Sequence, residues 1–183
     1  MEPQPAPNAH LPMQQTLQAW VGMTAMQVLF DSDVDEFVAE TVGPKILGRD
    51  HLAVVGILPT GDVFGAAFSL PIPQSDEMVY DPSMFAFSFQ SNGRCLTPQR
   101  FLVCPEWRHE SCLQFYANDK RGFFQFWVWL KSCFWLGCET SNCFNFNLDN
   151  CFETLEERTL TGMNYDCEPP FYHCARLMVV QLH

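Results

Sequence analysis

The chain has 183 residues, a length that suits one domain with a substantial hydrophobic core. Hydrophobic residues make up 48% of it and charged residues 17%, a balance that excludes an intrinsically disordered protein. The formal net charge is −11, with only 10 Lys and Arg residues. Because phosphate contacts need clustered cations, this charge argues against nucleic acid and against anionic membrane surfaces as partners. A basic protein partner suits the charge better.

The N-terminal segment, residues 1–12, holds four prolines among small and polar residues and is predicted to be a disordered tail. A single domain is predicted over residues 13–183. No signal peptide is expected, because no charged segment followed by an apolar one opens the chain. Apolar spacings of three and four that begin at Met13 predict a short amphipathic helix over residues 13–25, with its apolar side facing the core.

A second short helix is predicted over residues 36–42. Asp35 precedes it, and its carboxylate is suited to cap the N-terminus of a helix. Gly43-Pro44 follows as a signal that ends the helix.

Three aspartates, Asp31, Asp33 and Asp35, follow the apolar run Val28–Phe30 and are the most chemically suggestive residues of the chain. The first two resemble the DxD motif of the haloacid-dehalogenase phosphatases, in which the first Asp is the nucleophile and the second the acid/base. That resemblance implies a metal-dependent hydrolase that uses Asp31 and Asp33. Asp35, however, occupies a position where that motif has Thr or Val, and no later acidic pair follows to hold magnesium. The preferred interpretation is a capped turn on a solvated acidic surface.

Residues 52–71 predict a β-hairpin in the middle of a sheet. The apolar run Leu52–Leu58 suits a strand buried on both faces, and Pro59–Asp62 has the residues of a turn. The second strand alternates, so that Phe64, Ala66, Phe68 and Leu70 share one face, while Val63, Gly65, Ala67 and Ser69 share the other. We expect the phenylalanine face to fill the core and the small face to meet a close neighbour.

The rest of the chain is predicted to be rich in strands. Residues 74–82 are predicted to be a polar loop. Phe85–Gln90 alternates as a half-buried strand does, and Asn92-Gly93 predicts a hairpin turn that leads to a partner strand at Phe101–Cys104. Further strands are predicted at residues 112–116, 124–130, 134–138 and 175–182, with a turn at Lys131-Ser132 and one helical turn near residues 153–158.

The nine cysteines are expected to be reduced thiols in the cytosol, since their number is odd and no signal peptide is expected. The alternative is a secreted disulfide framework. Zinc sites commonly place two to four residues between paired ligands. Gaps of four, four and seven residues separate Cys133, Cys138, Cys143 and Cys151, so these cysteines are predicted to be buried hydrophobic residues. A redox-sensing cysteine remains an alternative. A Cys–His nucleophile does too, because its partners need only meet in space; His109 and His173 lie near Cys112 and Cys174 in the chain. No residue is assigned as catalytic, as cofactor-binding or as a metal ligand, and no cofactor is expected.

The order and spacing of the strand motifs over residues 28–183 resemble the TLDc family, the domain of oxidation-resistance proteins. The opening segment, Val28–Asp35, is similar to the variant found in divergent protist members. The glycine run that the family places before its "LWL" strand is reduced here to Gly122. The motifs that carry the resemblance are Gly61–Gly65 (GDVFG), Phe85–Phe89 (FAFSF), Phe126–Leu130 (FWVWL), Ser141–Phe146 (SNCFNF) and Leu177–Leu182 (LMVVQL).

The resemblance implies an α+β, mainly-β fold: a two-sheet antiparallel β-sandwich with a few short helices. The better-understood members of the family act through protein contacts, including regulation of the vacuolar proton pump, and protect cells from oxidative stress. The family has no agreed catalytic residues. The leading hypothesis is therefore a non-enzymatic protein-interaction module in the cytosol, and the alternatives are the hydrolase and the redox sensor.

Overall fold

Two antiparallel β-sheets packed face to face form most of the structure. The computed structural model describes residues 10–91, 97–117, 124–128, 131–136, 143–144, 148–154, 160, 171–172 and 174–183. Within these residues the helices are α1 (His10–Val21), α2 (Ala39–Ile46) and α3 (Leu148–Cys151), and a 3₁₀ helix covers Pro105–Glu110. The strands are β1 (Met26–Asp31), β2 (Leu52–Ile57), β3 (Val63–Phe68), β4 (Met78–Tyr80), β5 (Phe85–Gln90), β6 (Gln99–Leu102), β7 (Ser111–Phe115), β8 (Phe124–Val128), β9 (Lys131–Leu136), β10 (Cys143–Phe144), β11 (Phe171–Tyr172) and β12 (Arg176–Leu182).

The larger sheet has six strands in the order β1-β12-β2-β3-β5-β6, and the smaller has four in the order β4-β7-β8-β9. A short pair, β10 and β11, forms a separate two-stranded sheet, and β10 contacts β9 of the smaller sheet. All of these pairings are antiparallel. The mainly-β, two-sheet antiparallel sandwich with short helices is therefore confirmed.

The main core lies between the two sheets. Val54 and Phe64 reach it from the larger sheet, and Leu113 and Phe126 reach it from the smaller one; all four are fully buried. Strand side chains alternate between faces, so every second residue of these apolar strands enters the core. Burying each phenylalanine contributes roughly 1.5–3 kcal/mol, which makes the sandwich core the main source of stability.

A second, smaller core lies on the outer face of the larger sheet, under α1. Met13 and Leu17 of the helix pack there with Val55 and Phe87 of the sheet. The helix begins three residues earlier than predicted, inside the predicted tail, and ends at Val21; residues 1–9 lie outside the described part of the chain. None of the helices in the described residues has the length and apolar character needed to cross a membrane.

The predicted hairpin is confirmed as β2 and β3, which occupy the middle of the larger sheet. Residues 52–56 are buried, as expected of a strand with both faces covered. Phe64, Ala66 and Phe68 belong to the sandwich core, as predicted, while Leu70 lies beyond the strand end and is 41% exposed. The close neighbours of the small face are the backbone of Val54 and the ring of Phe87, because a Cβ built on Gly65 would overlap the Val54 carbonyl oxygen and lie 2.8 Å from that ring.

The predicted helix over residues 36–42 is wrong in its bounds. Helix α2 spans Ala39–Ile46, its N-cap is Val38 rather than Asp35, and it continues through Gly43 and Pro44. Proline removes one helix hydrogen bond, whose acceptor would be the carbonyl of the exposed Glu40. Buried side chains further along the helix hold it in place, so packing overrides the local stop signal.

Other predicted elements differ from the structure at their ends. Strand β4 lies inside the predicted loop at residues 74–82, because a three-residue strand is too short to display a period. Lys131 and Ser132 belong to β9 rather than to a turn. The hairpin partner of β5 is confirmed as β6, shifted by two residues, and Asn92-Gly93 lies outside the described residues. The other predicted strands correspond to β7, β8, β9 and β12. Of the predicted helical turn near residues 153–158, only residues 153 and 154 are described, and helix α3 ends before them.

Candidate functional site

The aspartate motif forms ion pairs at the end of β1. Arg176 donates from Nε to Oδ1 of Asp31 over 2.8 Å and from Nη2 to Oδ2 over 2.5 Å. Its Nε also lies 3.1 Å from Oδ2 of Asp33. The hydrogen bonds that Arg176 donates to Asp31 raise the pKa of Arg176, against the opposing effect of burial. Asp31 is therefore held as a carboxylate between two fixed donors on the neighbouring strand.

Asp35 shapes the turn that leads into α2. Its Oδ2 accepts the backbone N–H of Asp31 at 3.0 Å, and its Oδ1 lies 2.5 Å from Nζ of Lys45. The hydrogen bond from Lys45, helped by the backbone N–H of Asp31, lowers the pKa of this carboxyl. Asp35 thus ties the turn to α2 through Lys45, and it does not cap the helix.

The hydrolase hypothesis needs a parallel sheet with the aspartates open to a pocket. The strands in question are antiparallel, and Asp31 is engaged by Arg176. In the described part of the chain, no group of three or more His, Cys, Asp and Glu side chains is placed to hold a metal ion. The geometry therefore offers this hypothesis no reaction centre at the aspartates.

Five of the described cysteines are free thiols. Cys112, Cys133, Cys151 and Cys174 are buried, and Cys104 is half-buried. Burial raises the pKa of Cys112 to about 11. The hydrogen bond between Cys133 and Cys151, together with burial, raises the pKa of Cys133 well above its ordinary value. Reactive cysteines need the opposite shift, so these residues are suited to packing rather than to thiolate chemistry.

The structure describes only some of the residues considered for a zinc site or a Cys–His nucleophile. Cys138 and His173 lie outside the described residues, and Cys143 lies in β10. Cys133 lies in β9 and Cys151 in α3. His109 is exposed on the 3₁₀ helix.

The outer face of the smaller sheet carries an apolar depression, here called the outer groove. It is lined by Met78, Tyr80, Glu110, Cys112 and Trp127 and has a volume of about 220 Å³. Tyr80 pairs with Cys112, and Cys112 pairs with Trp127, so the three residues form one row across β4, β7 and β8. Met78 is 40% exposed and Tyr80 52% exposed, which makes them two of the few large apolar side chains exposed in the described chain.

Strand β4 is an edge of its sheet, and its backbone has donors and acceptors that point outward. The N–H of Asp81 bonds to the carbonyl of Ser111 at 2.9 Å, which fixes the alternation of the antiparallel pair. Hydrogen-bonded and non-hydrogen-bonded residue pairs alternate along an antiparallel ladder. Tyr80 and Met78 belong to non-hydrogen-bonded pairs, so their backbone N–H and C=O groups point away from β7. No strand of the described residues pairs with this edge.

The surroundings of the outer groove are polar and acidic. Glu110 lines it, and the exposed Glu77 directly precedes Met78. No Lys or Arg side chain is among the lining residues that the structure describes. The next row of the sheet is polar, with the Tyr116 hydroxyl 2.7 Å from the side-chain oxygens of Gln114 and Gln125. The apolar residues of the outer groove are therefore flanked by Gln114 and Gln125 on one side and by the acidic Glu110 on the other.

Sequence reasoning missed the outer groove. The alternation of exposed Met78, buried Val79 and exposed Tyr80 is its only local trace, and it spans just three residues. Cys112 and Trp127 join the site through strand pairing, which no sequence period reveals.

No family model matches this chain, and no curated protein matches it. The resemblance to the TLDc family rests on the strand motifs alone and stays a prediction.

Proposed function

We propose that this chain is a non-enzymatic protein-interaction module whose outer groove binds an extended segment of a partner protein. The observation that carries the proposal is the exposure of Met78 and Tyr80 beside an open sheet edge. Exposed apolar patches with a polar border are typical of protein interaction sites. An extended segment that pairs with β4 satisfies the outward backbone groups and lays alternate side chains against the groove.

The partner segment combines apolar anchors with Lys or Arg residues. Its apolar side chains fill the depression between Tyr80 and Trp127, and its cations meet Glu110, the acidic residue of the lining. The net charge of −11 attracts such a segment from a distance and repels acidic competitors. Because these charges are exposed, salt weakens the association.

The TLDc-like sequence motifs supply candidate partners and a cellular setting. On that basis the module acts in the cytosol, and its partner is a subunit of the vacuolar proton pump or a component of the oxidative-stress response. Deletion of the protein is then expected to impair organelle acidification or resistance to oxidants. The native chain restores the phenotype, and a chain with a disabled outer groove does not.

Selection from a library of random displayed peptides tests the binding mode. The selected peptides are expected to alternate apolar residues with Lys or Arg, and their affinity is measured by fluorescence polarisation. Tyr80→Ala is expected to weaken binding by on the order of tenfold or more, because it removes an aromatic anchor. Tyr80→Pro removes the same ring and also the outward N–H, so it is expected to bind more weakly than Tyr80→Ala.

Val34→Ala is the matched surface control. Val34 is 83% exposed, lies on the turn after β1 and is not among the residues that line the outer groove, so its truncation is expected to leave peptide affinity unchanged. Selected peptides that lack cations, or that bind both Tyr80 variants as well as the native chain, contradict the proposal.

A further inference from the structure

A second cavity lies on the opposite side of the molecule, between the C-terminal end of α1 and the outer face of the larger sheet. This α1 cleft has a volume of about 260 Å³, and its lining includes Trp20, Ala67, Phe85, Leu102 and Arg100. Most of the lining side chains are apolar. The small side chain of Ala67 leaves depth between its larger neighbours. The space corresponds to roughly ten non-hydrogen atoms, if each takes about the volume of a water molecule.

Arg100 is the cation of this cleft. Its Nη1 donates to the carbonyl of Trp20 over 2.9 Å, and its guanidinium carbon lies 5.8 Å from the centroid of the Phe85 ring. These two contacts fix the position of the guanidinium at the cleft. A guanidinium has five N–H donors, and only one of them is used in this way. Arg100 forms no ion pair with a carboxylate of the described residues, although the chain carries 21 Asp and Glu residues.

The other polar groups of the cleft are already engaged. The hydroxyls of Ser69 and Ser83 lie 2.7 Å apart, and both bond to the carboxylate of Asp81. Nδ1 of His51 lies 3.5 Å from a carboxylate oxygen of Asp50. The carboxylates of Asp81 and Asp50 therefore lie next to the serine and histidine side chains of the cleft. An anion in the cleft is attracted most strongly near Arg100.

We infer that the α1 cleft binds a small carboxylic acid with an apolar body of roughly ten non-hydrogen atoms. The carboxylate accepts hydrogen bonds from the free donors of Arg100, and the hydrocarbon lies over Ala67 between Trp20 and Leu102. A planar carboxylate matches the fork of a guanidinium, and such charge-assisted bonds are stronger than neutral ones. This binding does not depend on the outer groove, which lies on the other sheet.

Octanoate and octanamide are the matched probes, because both have the same chain length and only octanoate is charged. Isothermal titration calorimetry gives their affinities, and amide NMR shifts give the location. Octanoate is expected to bind about two- to fivefold more tightly than octanamide, since Arg100 is exposed and an exposed ion pair contributes at most about 1 kcal/mol. The largest shifts are expected at Val21, Ala67 and Leu102.

Arg100→Gln is expected to abolish the preference for octanoate over octanamide, and thermal unfolding checks that this variant is folded. Arg49→Gln is the control, because it removes another exposed arginine, whose hydrogen bonds are to Lys45 and Gln181 instead. It is expected to keep the preference. If Arg100→Gln fails to fold, Leu102→Trp, which fills the cleft, is expected to abolish octanoate binding instead. The proposal is overturned by equal affinities for the two probes, by shifts centred elsewhere, or by no binding up to about 10 mM.

Discussion

Nη2 of Arg176 lies 2.5 Å from Oδ2 of Asp31, and this pair joins residues that are 145 positions apart in the chain. It fastens the end of β1 to the start of β12. The side chain of Asp31 is 13% exposed and that of Arg176 is 24% exposed, so solvent screens the pair less than it screens a surface ion pair. The carboxylate that most resembles a catalytic nucleophile therefore belongs to the framework of the larger sheet.

Asp31→Asn is expected to lower the free energy of unfolding by about 1–2 kcal/mol, because it removes the closer and less exposed of the two carboxylates that pair with a partly buried guanidinium. Urea unfolding at neutral pH measures the loss. Asp33→Asn is the matched control: Asp33 is 55% exposed and contacts the same arginine, and its loss is expected to cost no more than about 0.5 kcal/mol. Equal losses in the two variants contradict the framework role of Asp31.

Local sequence patterns were sufficient to predict the central strands. The hairpin of β2 and β3 follows from a continuous apolar run, a turn with Gly61 at φ +88°, and a second strand with clear alternation. Each signal lies within a few neighbouring residues. The end of α2 was not predictable in this way, because burial of Ile46 against the core outweighs the local effect of Pro44.

The candidate sites depend on contacts between distant residues. Tyr80 meets Cys112 and Trp127 only through the pairing of β4 with β7 and β8. Arg100 reaches the end of α1 across 80 positions of sequence. Neither pair of distant residues belongs to a repeating pattern that the sequence would reveal. The sequence alone therefore pointed to the aspartates, which are close together in the chain.

Gly65→Ala is expected to destabilise the chain by about 1–3 kcal/mol. A Cβ at this position would overlap the carbonyl oxygen of Val54 and lie 2.8 Å from the Phe87 ring, so the backbone itself would have to move. Gly43→Ala is the control, because its Cβ would make ordinary contacts, the nearest at 3.5 Å from the Phe115 ring. In the helix it is expected to stabilise by about 0.5–1 kcal/mol. Thermal unfolding gives both signs, and a melting temperature unchanged by Gly65→Ala would show that the close approach is not rigid.

Ser88→Ala is expected to raise the free energy of unfolding by about 1 kcal/mol. Ser88 is fully buried, and its hydroxyl has no hydrogen-bond partner among the described residues, so alanine removes a desolvated polar group. Ser111→Ala is the matched comparison. Its hydroxyl, equally buried, lies 2.7 Å from the carbonyls of Asp81 and Arg108, and its removal is expected to destabilise by about 1–2 kcal/mol. Urea unfolding of both variants should therefore give effects of opposite sign; a loss of stability in each would contradict the assignment of Ser88.

Cys112 is expected to react slowly with iodoacetamide in the native chain. With a pKa of about 11, only about 0.1% of this thiol is ionised at pH 8. Unfolding in urea restores an ordinary thiol, so the alkylation rate is expected to rise on the order of a hundredfold. Mass spectrometry of the digested chain follows this residue alone. Equal rates in the native and unfolded chain would instead favour the redox-sensor hypothesis.

Asp81 is expected to make stability fall in acid. Burial raises the pKa of its carboxyl, but hydrogen bonds from the hydroxyl of Ser83 and from the backbone N–H groups of Ser69, Ser83 and Leu70 outweigh burial and lower the pKa below its ordinary value. The folded pKa thus lies below the unfolded value of about 3.9, so the contribution is complete above that pH and is lost as the pH falls through the folded pKa. Urea unfolding as a function of pH measures this loss.

Two variants separate Asp81 from the other carboxyls. Asp81→Asn cannot accept all of these bonds, so it is expected to be less stable at pH 7 and to lose less stability below pH 4 than the native chain. Ser83→Ala removes one of the bonds that lower the pKa, which shifts the start of the acid loss to higher pH. Because the hydroxyl of Ser83 bonds to Oδ1 at 2.6 Å, that shift should be visible without loss of the fold. An acid profile that neither variant changes would place the acid sensitivity of the chain in other carboxyls.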